Sequence, residues 1–253
     1  MKIVVIGGTG LIGRQLVGNL LGMGREAVAA SPSSGVDVLT GAGLDEAFAD
    51  ARVVVDVSNS PSFEDKAVLS FFDTSTRNVV AAARSAGVAH LVALWVVGTA
   101  RLQASGYFRA KQAQEDLIQA SGLPFTIVHA TQFFEFMATI ADGYTRDGVV
   151  HLPTFALQPI ASADVAAALV HVALAPPLGG VVEIAGPERA PLAEFVGSWL
   201  GERDDPRPVY IDQGTSYFGT PVDDTSLVPG ERARLLPTRF DAWLESQRKL
   251  EHA

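Results

Sequence analysis

The chain contains no cysteine, which excludes disulfides, thiolate nucleophiles and cysteine-based metal sites. It also lacks a long apolar run: the first one stops at Gly7, so neither a signal peptide nor a membrane span is expected. The five histidines (His90, His129, His151, His171, His252) show no ligand spacing such as H-E-x-x-H, so no metal is expected. Positive charge is in deficit: 19 Lys and Arg face 28 Asp and Glu, a net charge of -9 that argues against a nucleic-acid backbone as partner. A reducing compartment is compatible with these absences; the protein is expected to be cytoplasmic, monomeric or homo-oligomeric, and to act on a small molecule. What is present is ample: 253 residues, 48% hydrophobic, enough for one large α/β domain with a full core.

The most informative stretch is the opening, Met1-Lys2-Ile3-Val4-Val5-Ile6-Gly7-Gly8-Thr9-Gly10-Leu11-Ile12-Gly13. A buried-strand pattern runs into Gly-x-x-Gly-x-x-Gly and then into an apolar helical pattern at Leu11, Ile12, Leu16, Val17, Leu20 and Leu21. That context of strand, turn and helix is what a dinucleotide fingerprint requires. Glycines let backbone N–H groups approach a pyrophosphate, and the helix N-terminus presents partial positive charge to it.

Apolar runs at 3–6, 27–30, 53–57, 90–97 and 125–128 read as strands. Helical patterns at 11–21, 44–48, 70–86, 108–121 and 134–144 lie between or after them. Alternating β and α with near-continuous apolar strands predicts a parallel sheet covered on both faces, an α/β doubly wound (Rossmann) fold with a smaller C-terminal substrate lobe. After Gly148 prolines become frequent and the alternation fails. The expected organisation is a single domain, with 1–148 mainly a dinucleotide-binding core and 149–248 mainly a substrate lobe whose segments partly return to the core. Residues 249–253 read as a cloning remnant.

A second motif, Tyr107-Phe108-Arg109-Ala110-Lys111, is a Tyr-x-x-x-Lys. On a helix the two side chains share a face, so the lysine is expected to lower the phenol pKa and the phenol to exchange a proton with substrate. Together with the opening glycines, this motif resembles the short-chain dehydrogenase/reductase superfamily, and more closely its atypical, NmrA-like branch of NAD(P)H-binding proteins. Ala30-Ser31-Pro32-Ser33-Ser34-Gly35, Val55-Asp56-Val57-Ser58-Asn59-Ser60-Pro61, Thr126-Ile127-Val128-His129-Ala130-Thr131-Gln132-Phe133-Phe134, Ala163-Asp164-Val165-Ala166 and Ile184-Ala185-Gly186-Pro187 carry the same resemblance.

The resemblance implies an NAD(P)H site built from successive strand ends. Gly7, Thr9, Gly10, Leu11 and Ile12 would hold the pyrophosphate, and Val57, Ser58, Asn59 and Ser60 would line the ribose and nicotinamide side. Lys111 would bond the nicotinamide ribose, and Ala130, Thr131 and Phe133 would cover the carboxamide end. Plain turn chemistry is the competing reading of Ser58 and Asn59, and a helix start that of Asp164.

An NAD site usually ends its second strand in a carboxylate for the ribose 2′-OH. Here that place holds Ser31, Ser33 and Ser34, with Arg14 as a nearby candidate cation, so NADPH is expected over NADH. Asp37 would sit against the adenine, as in relatives. The competing reading of Arg14 is an exposed helix residue.

One position departs from the superfamily pattern. Where its reductases carry a serine that orients the substrate oxygen, this chain has Trp95. Four readings follow: a wall of a reshaped pocket, an introduced substitution, a block to carbonyl chemistry, or plain core. His129 is read as a substrate-pocket or strand-capping residue. Phe133, Phe134, Phe136 and Met137 are read mainly as core, with Phe133 at the pocket. The function expected is an NADPH-dependent reductase of a hydrophobic carbonyl, quinone or related conjugated acceptor, with Tyr107 donating the proton. The alternatives are a non-enzymatic NAD(P)H-binding redox sensor, or an epimerase or lyase that retains its cofactor.

Overall fold

The structure, a computed structural model, describes residues 1–62, 64–212 and 216–251, without the side chains of 250 and 251. Residues 252 and 253, in the segment set aside above, lie outside it. The elements run β1 (Lys2–Ile6), α1 (Leu11–Gly22), β2 (Glu26–Ala30), α2 (Leu44–Phe48), β3 (Ala51–Asp56), α3 (Asp65–Ser85), β4 (His90–Val96), α4 (Gly106–Gln119), β5 (Phe125–Ala130), α5 (Met137–Gly143), β6 (Thr145–Arg146), β7 (Val149–Leu152), β8 (Ala156–Leu157), α6 (Ser162–Leu174), β9 (Gly180–Ala185), β10 (Ala190–Pro191), α7 (Leu192–Glu202), β11 (Val209–Ile211), β12 (Arg234–Leu235) and α8 (Phe240–Glu251).

Seven strands form one parallel sheet in the order β12-β9-β5-β4-β3-β1-β2, the doubly wound architecture. Its register is set by β1, where Ile3 to Ile6 pair with Ala27 to Ala30 on one side and Val53 to Asp56 on the other. The central strands are buried on both faces, which is why they read as unbroken Val, Ile and Leu rather than as alternation. Their order reverses beside β1, and ligands in such sheets bind beyond the carboxyl ends of the strands at this point.

The helix pattern at 134–144 resolves into a single 3₁₀ turn (Phe134–Phe136) followed by α5. Helix α3 starts five residues before its apolar periodicity does, at Asp65.

The chain divides into two compact units. The first is Met1–Trp95, Gln103–His129 and Val165–Val182; the second is Val96–Leu102, Ala130–Asp164 and Glu183–Ala253. The first carries β1 to β5 with a core of Val4, Ile6, Phe48, Val54, Leu91, Trp95 and Ile127. The second contains two small sheets, β10-β8 and β11-β7-β6. Its aromatic centre has Phe240 stacked on Trp243 at 5.7 Å and Phe134 against both, at 5.0 and 5.5 Å. Among the described residues, no helix is long and apolar enough to cross a membrane.

Candidate active site

β1 ends at Ile6, and the next turn is stitched to both neighbouring strands. Gly7 N–H donates to the Ala30 carbonyl at 2.9 Å, and Val57 N–H to the Ile6 carbonyl at 3.0 Å. Gly7 has φ +74, and a Cβ there would lie 3.0 Å from Val57 O and Ser58 N. A Cβ on Gly13 would collide with the carbonyl oxygen of Gly7, so only glycine lets α1 close onto the turn. Helix α1 begins at N-cap Gly10 with no side-chain cap and no acidic residue in its first turn. Its opening N–H groups are therefore left for an anion. Thr9 and Gly10 are exposed and Leu11 is half-buried, while the Ile12 side chain is in the core.

The loop after β3 adds hydroxyls. Asp56 Oδ1 accepts the Ser58 N–H at 2.9 Å, and Ser60 Oγ accepts the Ser62 N–H at 3.2 Å. Val57 is half-buried and Asn59 exposed. Ser58 is half-buried, and its hydroxyl is directed toward the Asp56 carboxylate. In the second unit, Thr131 Oγ1 and Gln132 Oε1, just beyond β5, are buried with no hydrogen-bond partner among the described residues. An unsatisfied buried polar group costs about 1–3 kcal/mol, and a ligand rich in hydroxyls and phosphates relieves it. The open helix end, in the first unit, fits the pyrophosphate of a nicotinamide dinucleotide.

The serines after β2 are partly engaged with each other. Ser34 Oγ accepts the Ser31 N–H at 2.9 Å, and the Ser31 and Ser33 hydroxyls lie 2.9 Å apart. Ser31 is buried and Ser33 exposed. Arg14 projects from α1 into solvent with no ion pair among the described residues. Asp37 is turned to its own loop, where Oδ1 accepts the Leu39 N–H at 2.8 Å.

Helix α4 carries Tyr107, Lys111 and Glu115 at four-residue intervals, on one face. Tyr107 is half-buried; its hydroxyl lies 3.4 Å from Asn59 Oδ1, and its ring meets Phe72 edge-on at 6.2 Å. Burial pushes the phenol above its ordinary pKa of 10.0. Desolvation, and not the neighbouring lysine, is the cause that sets this direction. Lys111 is only 3% exposed, with Nζ 3.9 Å from the Phe72 ring centroid and 3.3 Å from Gln114 Oε1. Desolvation pulls its pKa down to about 8, partly opposed by the charge of Asp56. Asp56, equally buried, is pushed up by desolvation, against the Ser58 hydrogen bonds and Lys111.

Trp95 is 3% exposed and lies in the core cluster of its unit, and its indole N–H donates to the Lys111 carbonyl at 2.9 Å. It is core, and it is turned toward α4. The His129 ring pairs with α4: Nε2 lies 3.0 Å from Glu115 Oε2, and both side chains are largely buried. In the second unit, Ala130 and Thr131 are buried. Phe133 bridges to Ile160 and stacks on the exposed Phe136 at 5.4 Å, while Phe134 is core. Asp164 bonds Thr238 through both N–H and hydroxyl, at 3.0 and 2.9 Å.

Asp56, Phe72, Gln114 and Glu115 were given no role on the sequence alone. Asp56 had a signal, a carboxylate closing the apolar run Val53-Val54-Val55. The other three are positioned by packing between elements and leave no local pattern.

A doubly wound sheet whose first turn is a glycine cradle under an uncapped helix defines a dinucleotide-binding protein. Residues 7–176 match the family described as NAD(P)H-binding, and the chain belongs to that family. It is similar to a (4-alkanoyl-5-oxo-2,5-dihydrofuran-3-yl)methyl phosphate reductase of Streptomyces griseus, 30% identical over 175 residues. That match spans 64% of this chain and 58% of the relative. Among solved structures it resembles UDP-N-acetylglucosamine 4-epimerase from Bacillus cereus, with a TM-score of 0.74, 13% identity and 100% of each chain covered. It also resembles a short-chain dehydrogenase/reductase superfamily protein from Agrobacterium tumefaciens with bound NAD, with a TM-score of 0.71, 16% identity, 100% of this chain and 99% of that one. At these identities the two structures bear on the fold alone.

Proposed function

We propose that this chain is an NADPH-dependent reductase of a hydrophobic carbonyl, quinone or conjugated acceptor. The observation that carries the reading is Tyr107: a desolvated phenol, held protonated at neutral pH, four residues from a buried cation and 3.4 Å from Asn59. Bound NADPH supplies the hydride. The chain does the rest. Gly7, Thr9, Gly10, Leu11 and Ile12 hold the pyrophosphate with backbone N–H groups. Val57, Ser58, Asn59 and Ser60 line the ribose side, and Ala130, Thr131 and Phe133 border the carboxamide. As hydride adds to the acceptor carbon, Tyr107 gives its hydroxyl proton to the developing oxyanion and regains one from solvent. Lys111 supports that site as a fixed positive charge behind Phe72.

The name of the Streptomyces griseus relative describes an acyl-bearing, conjugated lactone, which favours a conjugated acceptor here. Preference for the 2′-phosphate rests on the absence of a carboxylate after β2 and on the exposed Ser33 hydroxyl and Arg14 guanidinium. A cytoplasmic location belongs to the same reading. So does a division of labour in which 1–148 serves mainly the cofactor and 149–248 mainly the substrate. One observation favours the second reading, a non-enzymatic NAD(P)H sensor: the Lys111 ammonium is closed away from solvent.

The test is cofactor oxidation with a panel of conjugated enones and lactones, quinones and simple hydrophobic ketones, each run with NADPH and NADH. The expected result is turnover with conjugated members and at least about tenfold better kcat/KM with NADPH. Tight NADPH binding with no turnover on any acceptor would give the sensor reading the field.

A further inference from the structure

The position that departs from the superfamily pattern is not idle. Trp95 ends near the carboxyl edge of β4, and its side chain reaches α4 rather than solvent, donating its indole N–H to the Lys111 carbonyl at 2.9 Å. That carbonyl lies within the helix, so the indole bond adds a lateral tie without replacing a cap. The ring that makes the tie also faces the lysine head: Nζ is 5.3 Å from the Trp95 ring centroid. On the other side Nζ lies 3.9 Å from the Phe72 centroid, inside the range of a cation over an aromatic face. Gln114 Oε1 accepts from Nζ at 3.3 Å. Trp95, Lys111, Phe72, Gln114 and Asp56 are each at most 4% exposed. The lysine head is therefore held in a box with two aromatic walls and an amide acceptor.

We propose that Trp95 is a positioning residue for Lys111: its indole closes an aromatic box that keeps the ammonium against Phe72 and shuts water out from the β4 side. A serine at this position would have neither the area to form a wall nor a donor long enough to reach the helix. The box makes the lysine charge cheaper to lose and insensitive to bulk salt. It also ties the charge state of the site to a residue that touches neither substrate nor cofactor.

Few charges surround this lysine. Asp56, at the end of β3, is the carboxylate whose field reaches it. On α4, Tyr107 stands one turn before it, and Glu115 one turn after it is engaged by His129 of β5. From α3 come the apolar Val68 and Phe72, while the Asp73–Arg77 pair of that helix lies exposed at 2.9 Å. The Asp65–Arg109 pair, at 2.7 Å, is exposed as well. From β4 comes the Trp95 indole, uncharged.

The chain has only four lysines (Lys2, Lys66, Lys111 and Lys249), so their ¹³Cε resonances can be titrated individually in the full-length protein. Lys111→Met serves solely to assign the Lys111 signal. The wild-type signal is expected to titrate near 8, against 10.5 for an ordinary lysine. In Trp95→Ser its midpoint should rise by about one unit or more as water reaches the ammonium. Should the serine variant not fold, Trp95→Leu, which keeps an apolar side chain but removes the wall and the N–H, takes its place with the same outcomes. A midpoint unchanged in the folded variant would overturn the proposal by showing that the other walls suffice. A wild-type Lys111 titrating with the remaining lysines would overturn it by showing that no closed box exists. Neither result depends on finding an acceptor for the enzyme, so the proposal and the reductase reading fail separately.

Discussion

A lysine taken out of water loses the hydration of its ammonium, and the protein must replace that or let the proton go. Around Lys111 the replacement is partial: one amide oxygen, two ring faces and a buried carboxylate at Asp56. The consequence for stability has a definite sign. Between about 8, where folded Lys111 gives up its proton, and the ordinary 10.5, the unfolded chain binds one proton more than the folded one. Stability attributable to this residue therefore rises with pH through that window and is lowest below it. Asp56 works oppositely. Its folded pKa is raised above 3.8, so its contribution falls as pH rises from that value through the raised one. The urea-unfolding free energy of wild type minus that of Lys111→Met should climb between pH 8 and 10, by up to about 1.4 kcal/mol per pH unit. A flat difference would mean that the lysine is hydrated in the folded protein. None of this was legible in Tyr-x-x-x-Lys, whose spacing placed both residues on one face. The spacing does not say that Phe72, from another helix, takes the ammonium for itself.

At the scale of elements, the unit from β1 through the turn to α1 is the part most fully written into its own residues. Its strand, its glycines and its helix each follow from local chemistry, and strand ends elsewhere in the first unit fall within a residue or two of their apolar runs. Gly13 joins the two ends of this element: a Cβ there meets the Gly7 carbonyl, so Gly13→Ala must push α1 off the turn whose N–H groups it presents. Isothermal titration of that variant with NADPH should show affinity reduced by about tenfold or more, since roughly 1.4 kcal/mol corresponds to a factor of ten. Wild-type affinity would mean that the cofactor is not held at this helix end. The tertiary pairings were the illegible part. His129 and Glu115 are fourteen residues apart and meet because β5 ends beside α4. The 3₁₀ turn before α5 broke a pattern that looked continuous from 134 to 144, since apolar spacing alone does not distinguish a tight turn from a regular one.

For the whole molecule, alternating strands and helices were enough to anticipate the parallel sheet, because buried strands need no alternation and short connections force crossovers. The division into units was less direct. Residues 165–182 belong with the first unit although they follow the change in composition at Gly148, and 96–102 belong with the second. Composition cannot report such exchanges, since proline and glycine mark turns wherever the chain happens to lie. At this scale the proposed reductase joins a glycine cradle for the cofactor to a proton transfer by one phenol. It is tested most directly by Tyr107→Phe, comparing NADPH affinity with single-turnover reduction of the best conjugated acceptor. The account predicts affinity within about threefold of wild type and a rate lower by about 10²–10⁴, the range for loss of a general acid. A variant that reduces the acceptor at the wild-type rate would contradict it.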